Sequence, residues 1–257
     1  MGEPVLSGIV LTWNEEKHIR ECLASMRGFV DELVVFDSGS TDGTVEYAQA
    51  AGARVVARQF DNYAAQRNAA MEAATGDWIF FMDADERANA LVGQEIRDAI
   101  SHSQNTIPET VLFWIPRKNY IFGKWIQHTG WSPDYQPRVL KRGSTIFDPA
   151  RPVHELVIAQ GSQAYLEHSL VHYNYETLAQ FCAKQRRYTR FEAEMMVAEG
   201  VHPRRRSYLS MPLREFYRRF ISLSGFRDGM HGLLLSILMA YYVFRRQVWA
   251  AEFAAKK

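Results

Sequence analysis

Asp83-Ala84-Asp85 sets two carboxylates two residues apart, directly after the apolar run Trp78–Met82. Hard divalent cations prefer oxygen ligands and keep waters and substrate phosphates in their remaining positions. An acid pair at a strand end is therefore suited to holding a metal against a phosphate. Glu86 follows at once, and three neighbouring acids repel one another strongly enough to require a compensating cation. Taken alone, such a tripeptide is equally an acid pair on a surface loop. A second polar stretch, Asp37–Thr44 (DSGSTDGT), is rich in turn formers and hydroxyls. It reads as a capped turn opening a helix, with Ser40 or Thr41 as N-cap and Thr44 in the first turn. Asp37 at its strand end can also accept hydrogen bonds from a ribose or a base edge, and Gly39 and Gly43 allow a ligand close to the backbone. A third stretch is Thr12-Trp13-Asn14-Glu15-Glu16.

Short apolar runs and helical stretches alternate through the first hundred residues and would carry these clusters. Val5–Thr12, Glu32–Phe36, Arg54–Ala57 and Trp78–Met82 read as strands. Glu15–Met26, about Thr41–Ala51 and about Tyr63–Ala74 read as helices. The rhythm predicts an α/β fold: a mostly parallel sheet covered by helices. Ligands bind such sheets beyond the carboxyl ends of the strands, so the three polar clusters should share one rim. Later strands are expected at Val111–Pro116, Arg138–Lys141, Val153–Ile158 and Ala164–Val171, and a helix at Leu178–Ala198.

Composition narrows the class. At 47% hydrophobic and 23% charged, the 257 residues suit a globular protein and exclude a disordered or collagen-like chain. Cys22 and Cys182 are too few and too far apart for a disulfide framework or a cysteine zinc site. Met1-Gly2-Glu3-Pro4 lacks the basic start of a cleavable signal, which makes a reducing cytoplasm the default expectation. Charge is split: residues 1–183 hold 15 Lys and Arg against 23 Asp and Glu, whereas residues 184–257 hold 15 against 6. The basic stretch calls for an anionic partner, or else is a solvated basic face. Its run Leu233–Phe244 has twelve uncharged residues, short of the roughly 20 that a bilayer span needs. Arginines at 204–206, 214, 218–219 and 245–246, interleaved with aromatics, favour a helix lying in a membrane interface. Arginine with aromatics also suits RNA or DNA. No nucleic-acid motif occurs and the acidic stretch before residue 184 repels phosphate, so no nucleic acid is expected.

Ile9–Glu15 (IVLTWNE), Val34–Thr44 (VVFDSGSTDGT), Arg67-Asn68 and Ile79–Glu86 (IFFMDADE) together resemble family 2 glycosyltransferases with the GT-A, nucleotide-diphospho-sugar-binding fold. Gly130–Arg138 (GWSPDYQPR), Val153–Glu155 (VHE) and Gly225–Leu234 (GFRDGMHGLL) resemble, more narrowly, bacterial enzymes that add β-1,4-linked glucose to the lipopolysaccharide inner core. The resemblance implies an inverting, metal-dependent hexosyltransferase using a UDP-sugar and Mg²⁺ or Mn²⁺. It puts Thr12, Asn14 and Glu15 in the nucleotide pocket and Asp37 and Arg67 on the uridine. Asp83 would reach the ribose or the metal, Asp85 would hold the metal against the diphosphate, and His154 would be a further ligand. Arg138, with Gln136, would orient acceptor or phosphate groups, or be structural. The base that takes the acceptor proton is Asp134 or Glu155. Asp134 is favoured because Trp131 and Tyr135 flank it and aromatic faces line sugar sites. The family's usual Glu-Asp base pair is absent.

The expected domains are a catalytic one over 1–175, with 1–105 binding the nucleotide and 106–175 the acceptor, and a helical, basic, membrane-associating extension over 176–257. The partners are then a UDP-sugar, a lipid-linked glycan acceptor and the anionic inner face of the cytoplasmic membrane. Transfer of GlcNAc or galactose to another envelope glycan is the alternative, and a nucleotide-sugar-binding module is the non-enzyme one. A nucleotidyltransferase is disfavoured because Thr12–Lys17 forms no glycine-rich, lysine-bearing loop.

Overall fold

The computed structural model describes residues 5–150 and 156–255. Two compact units emerge, one built from the chain up to Arg117 and from Tyr135–His172, the other from Lys118–Asp134 and the chain from Tyr173.

In the first unit, β1 (Leu6–Thr12), α1 (Ile19–Met26), β2 (Glu32–Asp37), α2 (Thr44–Ala50), β3 (Arg54–Ala57), α3 (Tyr63–Ala73) and β4 (Trp78–Phe81) follow in order. The strands pair in parallel as β3-β2-β1-β4, with Thr12 opposite Asp37. β1 and β4 are buried at almost every position because both faces of the sheet are covered. Their side chains alternate between two cores. Leu6, Val10, Phe80 and Met82 pack with α1, and with Val92, Ile96 and Ile100. Ile9, Ile79 and Phe81 pack with Ala64, Ala70 and Met71 of α3.

After β4 come β5 (Glu86–Arg87), α4 (Ala90–His102), β6 (Thr110–Ile121), β7 (Lys124–Trp125), β8 (Tyr135–Lys141), β9 (Thr145–Phe147), β10 (Val157–Ala159), β11 (Ser162–Tyr165) and β12 (Leu170–Tyr175). β8 runs antiparallel to β4 and β6 antiparallel to β8, so β6 points the same way as β4. Parallel pairing joins β1–β4 to one another and β11 to β6, whereas β8 is antiparallel to both of its neighbours, so the sheet is mixed. The α/β architecture expected from the sequence is present, together with C-terminal helices.

Three local expectations change. α4, which no sequence signal singled out, is a full helix capped by Asn89, whose Oδ1 accepts from the Val92 amide at 3.0 Å. The single strand foreseen over Ala164–Val171 is two strands, β11 and β12. α2 begins at Thr44, not Ser40 or Thr41: Asp42 Oδ1 accepts the Thr44 amide at 3.0 Å, while the Ser40 hydroxyl is drawn to Asp37.

The second unit holds α5 (Leu178–Ala198), α6 (Ser207–Tyr217) and α7 (Met230–Ala254). A capping box starts α5: Thr177 accepts the Gln180 amide, and the Gln180 side chain accepts the Thr177 amide. Ile121, Ile126, Tyr175, Phe181, Leu235 and Tyr242 form its core. Among the described residues no helix is long and apolar enough to cross a membrane.

Candidate active site

The loops after β1 and β2 are tied into one structure. Asp37 is 3% exposed, and its Oδ1 accepts from Thr12 Oγ1 at 2.9 Å and from Ser40 Oγ at 2.5 Å. Its Oδ2 accepts the Gly39 and Ser40 amides at 2.9 and 2.8 Å. Gly39 takes φ +91°, where a Cβ would be strained. Asn14, also left-handed at φ 57°, accepts the Thr41 amide at 2.8 Å, and its own amide donates to Ser40 Oγ at 2.8 Å. The Glu15 amide donates to buried Thr44 Oγ1 at 2.7 Å. Thr12, Asn14, Glu15 and Asp37 thus come together, and Asp37 doubles as the clasp of its own turn.

Arg67 lies on α3 with its guanidinium over the rings of Phe81 and Phe147, 5.0 and 5.4 Å from their centroids. Asn68, next along, fixes Phe147 by accepting its amide at 2.9 Å and donating to its carbonyl at 2.8 Å. Held this way, Arg67 Nη2 reaches Asp83 Oδ1 at 3.5 Å. Arg138, 3% exposed on β8, donates to Asp83 Oδ2 at 2.6 Å and also to Glu86 Oε1. Arg117, on β6, donates to Glu86 Oε1 at 3.1 Å and lies 3.8 Å from Asp83 Oδ2. Glu86 is fully buried and accepts the Asp83 amide at 3.0 Å, which closes the turn after β4.

Burial on its own would raise the Asp83 carboxyl, but Arg138, Arg67 and Arg117 hold it well below the usual carboxylate range. Burial likewise works against the Arg138 charge, and Asp83 and Glu86 outweigh it. Three guanidiniums thus converge on Asp83 and Glu86 at the end of β4, with Asp85 two residues away. The compensation that the sequence demanded for its three acids is thereby supplied to Asp83 and Glu86 by arginines. Asp85 is served differently: His172 Nε2, on β12, stands 3.4 Å from its Oδ2. An imidazole nitrogen and a carboxylate oxygen that close are a donor pair fit for a divalent cation.

Asp134 belongs to the second unit, where buried Asn119 donates to its Oδ2 at 2.8 Å and to the Trp131 carbonyl at 2.9 Å. His154 and Glu155 lie outside the described residues. Gln136 pairs with Ile115 across β8 and β6. Trp114, Tyr135 and Tyr165 of the first unit form an aromatic group. Trp114 and Tyr165 stack at 6.0 Å and Tyr135 meets Tyr165 edge-on at 5.0 Å. β11 runs beside β6 in the same direction as β4, so Tyr165 ends its strand on the side where Asp83 ends β4.

Arg117, His172 and Asn119 are the site residues that sequence reasoning missed. The signal each carried was faint: Arg117 and Asn119 fall in the polar run Arg117-Lys118-Asn119 near the end of β6, two residues apart, and His172 sits in the mixed sequence LVHYNY of β12.

Residues 7–166 match the family model "Glycosyl transferase family 2". The chain belongs to that family and is a glycosyltransferase. It is 28% identical over 265 residues to the lipopolysaccharide core biosynthesis glycosyltransferase LpsC of Rhizobium meliloti (strain 1021), covering 96% of this chain and 94% of that one. An uncharacterized glycosyltransferase of Rickettsia bellii (strain RML369-C) is 26% identical over 257 residues, 94% of this chain and 84% of its own. Among solved structures, glucosyl-3-phosphoglycerate synthase from Mycobacterium tuberculosis in complex with Mn²⁺, UDP and phosphoglyceric acid aligns with a TM-score of 0.49 at 21% identity, over 79% of this chain and 80% of that one.

Proposed function

We propose that the chain moves glucose from UDP-glucose, with inversion, to a heptose of the lipopolysaccharide inner core, working at the inner face of the cytoplasmic membrane. The observation that carries the reading is the cluster of Arg67, Arg117 and Arg138 converging on Asp83 beside the Asp85–His172 pair. A departing nucleoside diphosphate gains negative charge in the transition state, and fixed cations aimed at that charge lower the barrier. The core-biosynthesis name of the Rhizobium relative supports the acceptor class.

Asp37, Arg67 and the Thr12–Glu15 loop bind the nucleoside, and Arg138 orients the diphosphate. Asp85 and His172 would hold Mg²⁺ or Mn²⁺, which when bound neutralises phosphate charge. The acceptor hydroxyl attacks the anomeric carbon opposite the phosphate; the C–O bond to UDP breaks as the new glycosidic bond forms. Asp134 takes the hydroxyl proton, with Glu155 as the other candidate. Asn119 donates to Asp134 Oδ2 and so fixes the orientation of the carboxylate. Trp114, Tyr135 and Tyr165 offer apolar ring faces to the acceptor sugar.

UDP release, followed over a panel of UDP-sugars with Mn²⁺ and with or without lipid acceptor, tests the reading. Turnover should peak with UDP-glucose and require the acceptor. A peak with UDP-GlcNAc or UDP-galactose would move the donor, and tight binding of a purine nucleotide with none of UDP would end the assignment.

A further inference from the structure

We infer that α6 and α7 together form a membrane-seating face that lies on an anionic lipid bilayer. On α6, Leu209, Leu213 and Tyr217 recur at four-residue spacing and are 69%, 58% and 60% exposed. On α7, Met230, Leu234, Ile237, Tyr241 and Phe244 keep helical spacing on the outward side and are likewise exposed. Their helix neighbours Leu235 and Tyr242 are buried with Phe181. α7 therefore has one apolar face in protein and a second with no protein partner among the described residues. The two helices pack on each other, Tyr208 meets Phe244 at 6.4 Å, and a groove of about 630 Å³ between them is lined by Leu213, Tyr217 and Val243 together with Arg214, Arg218 and Arg246. Exposed large apolar side chains in such number, edged by arginines, mark an interaction site.

Charge identifies the occupant. Residues 201–249 hold nine arginines and only two acids, Glu215 and Asp228. Glu215 is taken by Arg218 and Arg219, and Asp228 is buried, accepting the Gln127 and His128 amides. Arg204, Arg205, Arg206, Arg214 and Arg227 are exposed and make no ion pair among the described residues. Apolar stripes with unpaired arginines match the two layers of a bilayer surface, acyl chains below and anionic headgroups above. A second copy of the chain would bring like charges together, and a nucleic acid has no use for the apolar stripes. The inference rests on the membrane-borne acceptor proposed above and adds the surface that meets the membrane. The uncharged run Leu233–Phe244 does not enter as a whole: only its outward stripe does, joined by α6.

Flotation of the full chain with vesicles of phosphatidylcholine, alone or mixed with phosphatidylglycerol, tests it. The chain should float with the anionic vesicles and much less with neutral ones. Leu213→Glu with Ile237→Glu, both at exposed positions, should lower the bound fraction about tenfold or more. Replacing Arg204, Arg205 and Arg206 by Gln should lower it about tenfold on anionic vesicles only. Circular dichroism checks that the variants fold, and UDP release with acceptor in detergent micelles reads the catalytic proposal separately. Absence of flotation, unchanged flotation of the glutamate variant, or equal binding to both vesicle types overturns the inference. So does a concentration-dependent dimer that the glutamate variant dissociates, which would assign the face to a second copy.

Discussion

Arg138 spans two carboxylates with one guanidinium, and both it and Glu86 are out of water. Removing one partner of such a buried group leaves an uncompensated charge, at a cost of about 3–5 kcal/mol. Arg138→Gln should lower the melting temperature markedly and weaken UDP binding in a calorimetric titration. Arg138→Lys should recover little of either, since a point-charge ammonium cannot bridge two acids as a planar fork does. Activity should divide differently between two other acids. Asp85→Ala removes a metal-holding group and should abolish turnover, whereas Asp134→Asn should keep UDP-sugar affinity nearly intact and stop transfer. Near wild-type transfer by Asp134→Asn, with Glu155→Gln inactive, would move the base to Glu155. At this scale the polar clusters at the strand ends were legible because an acid after four apolar strand residues has nowhere else to go. The arginines that answer those acids were not: Arg117 and Arg138 arrive from β6 and β8, more than thirty residues later, and only strand pairing brings them in.

Among the elements, β2 and α7 each hang on one residue whose effect can be measured. Glu32, at the start of β2, accepts from Ser7 Oγ on β1 at 2.6 Å, from the Thr75 amide at 2.9 Å and from Arg54 at 2.7 Å. Burial pushes its carboxyl up, but these hydrogen bonds win and bring it down to about 2. A carboxyl lowered on folding stabilises the fold above its unfolded value, near 4.3, and that contribution fades as pH falls toward 2. Glu32→Gln should therefore cost about 1 kcal/mol at pH 7, a figure discounted for exposed Arg54, and the difference from wild type should vanish between about pH 4.5 and 2. Denaturant melts across that range would show it; a pH-independent gap would refute the ionic account. On α7, a Cβ at Gly232 would stand 1.8 Å from the Gly225 carbonyl oxygen. Backbone cannot yield as a side-chain tip does, so Gly232→Ala should destabilise the second unit by about 2 kcal/mol or more, seen as an earlier melting transition. The parallel strands were readable from their apolar runs, and α5 from its cap and period. α4 escaped because Asn89-Ala90 follows so closely on the acidic turn that the cap was absorbed into the loop. β11 and β12 escaped because a short apolar-polar mixture does not reveal where one strand stops and the next begins.

Over the whole chain, the two units do not follow the boundary suggested by composition. The charge change near residue 184 marks a real shift in surface, yet residues 118–134 fold with the C-terminal helices. Trp131 packs with Leu238 and Met239 against the core of Phe181, Leu235 and Tyr242. Asp228 accepts the Gln127 and His128 amides and the Thr129 hydroxyl, and Arg219 donates to the Thr129 carbonyl at 2.7 Å. The segment that ends in Asp134 is thus fastened by α7 and by the turn before it. A chain cut after Val201 would lose Leu235, Tyr242, Asp228 and Arg219 together and leave Ile121, Ile126 and Phe181 uncovered. Each large apolar side chain returned to water costs about 1.5–3 kcal/mol, which exceeds what the remaining contacts of residues 118–134 can offset. The first unit retains both of its cores and the whole Arg67–Asp83–Arg138 cluster. The cut chain should consequently bind UDP with affinity near that of the full chain and transfer no sugar, even to an acceptor supplied in detergent, where membrane seating is irrelevant. Calorimetry with UDP beside transfer in micelles separates the two effects. Retained transfer by the cut chain would show that Asp134 does not serve as the base or does not depend on the helices that hold its loop.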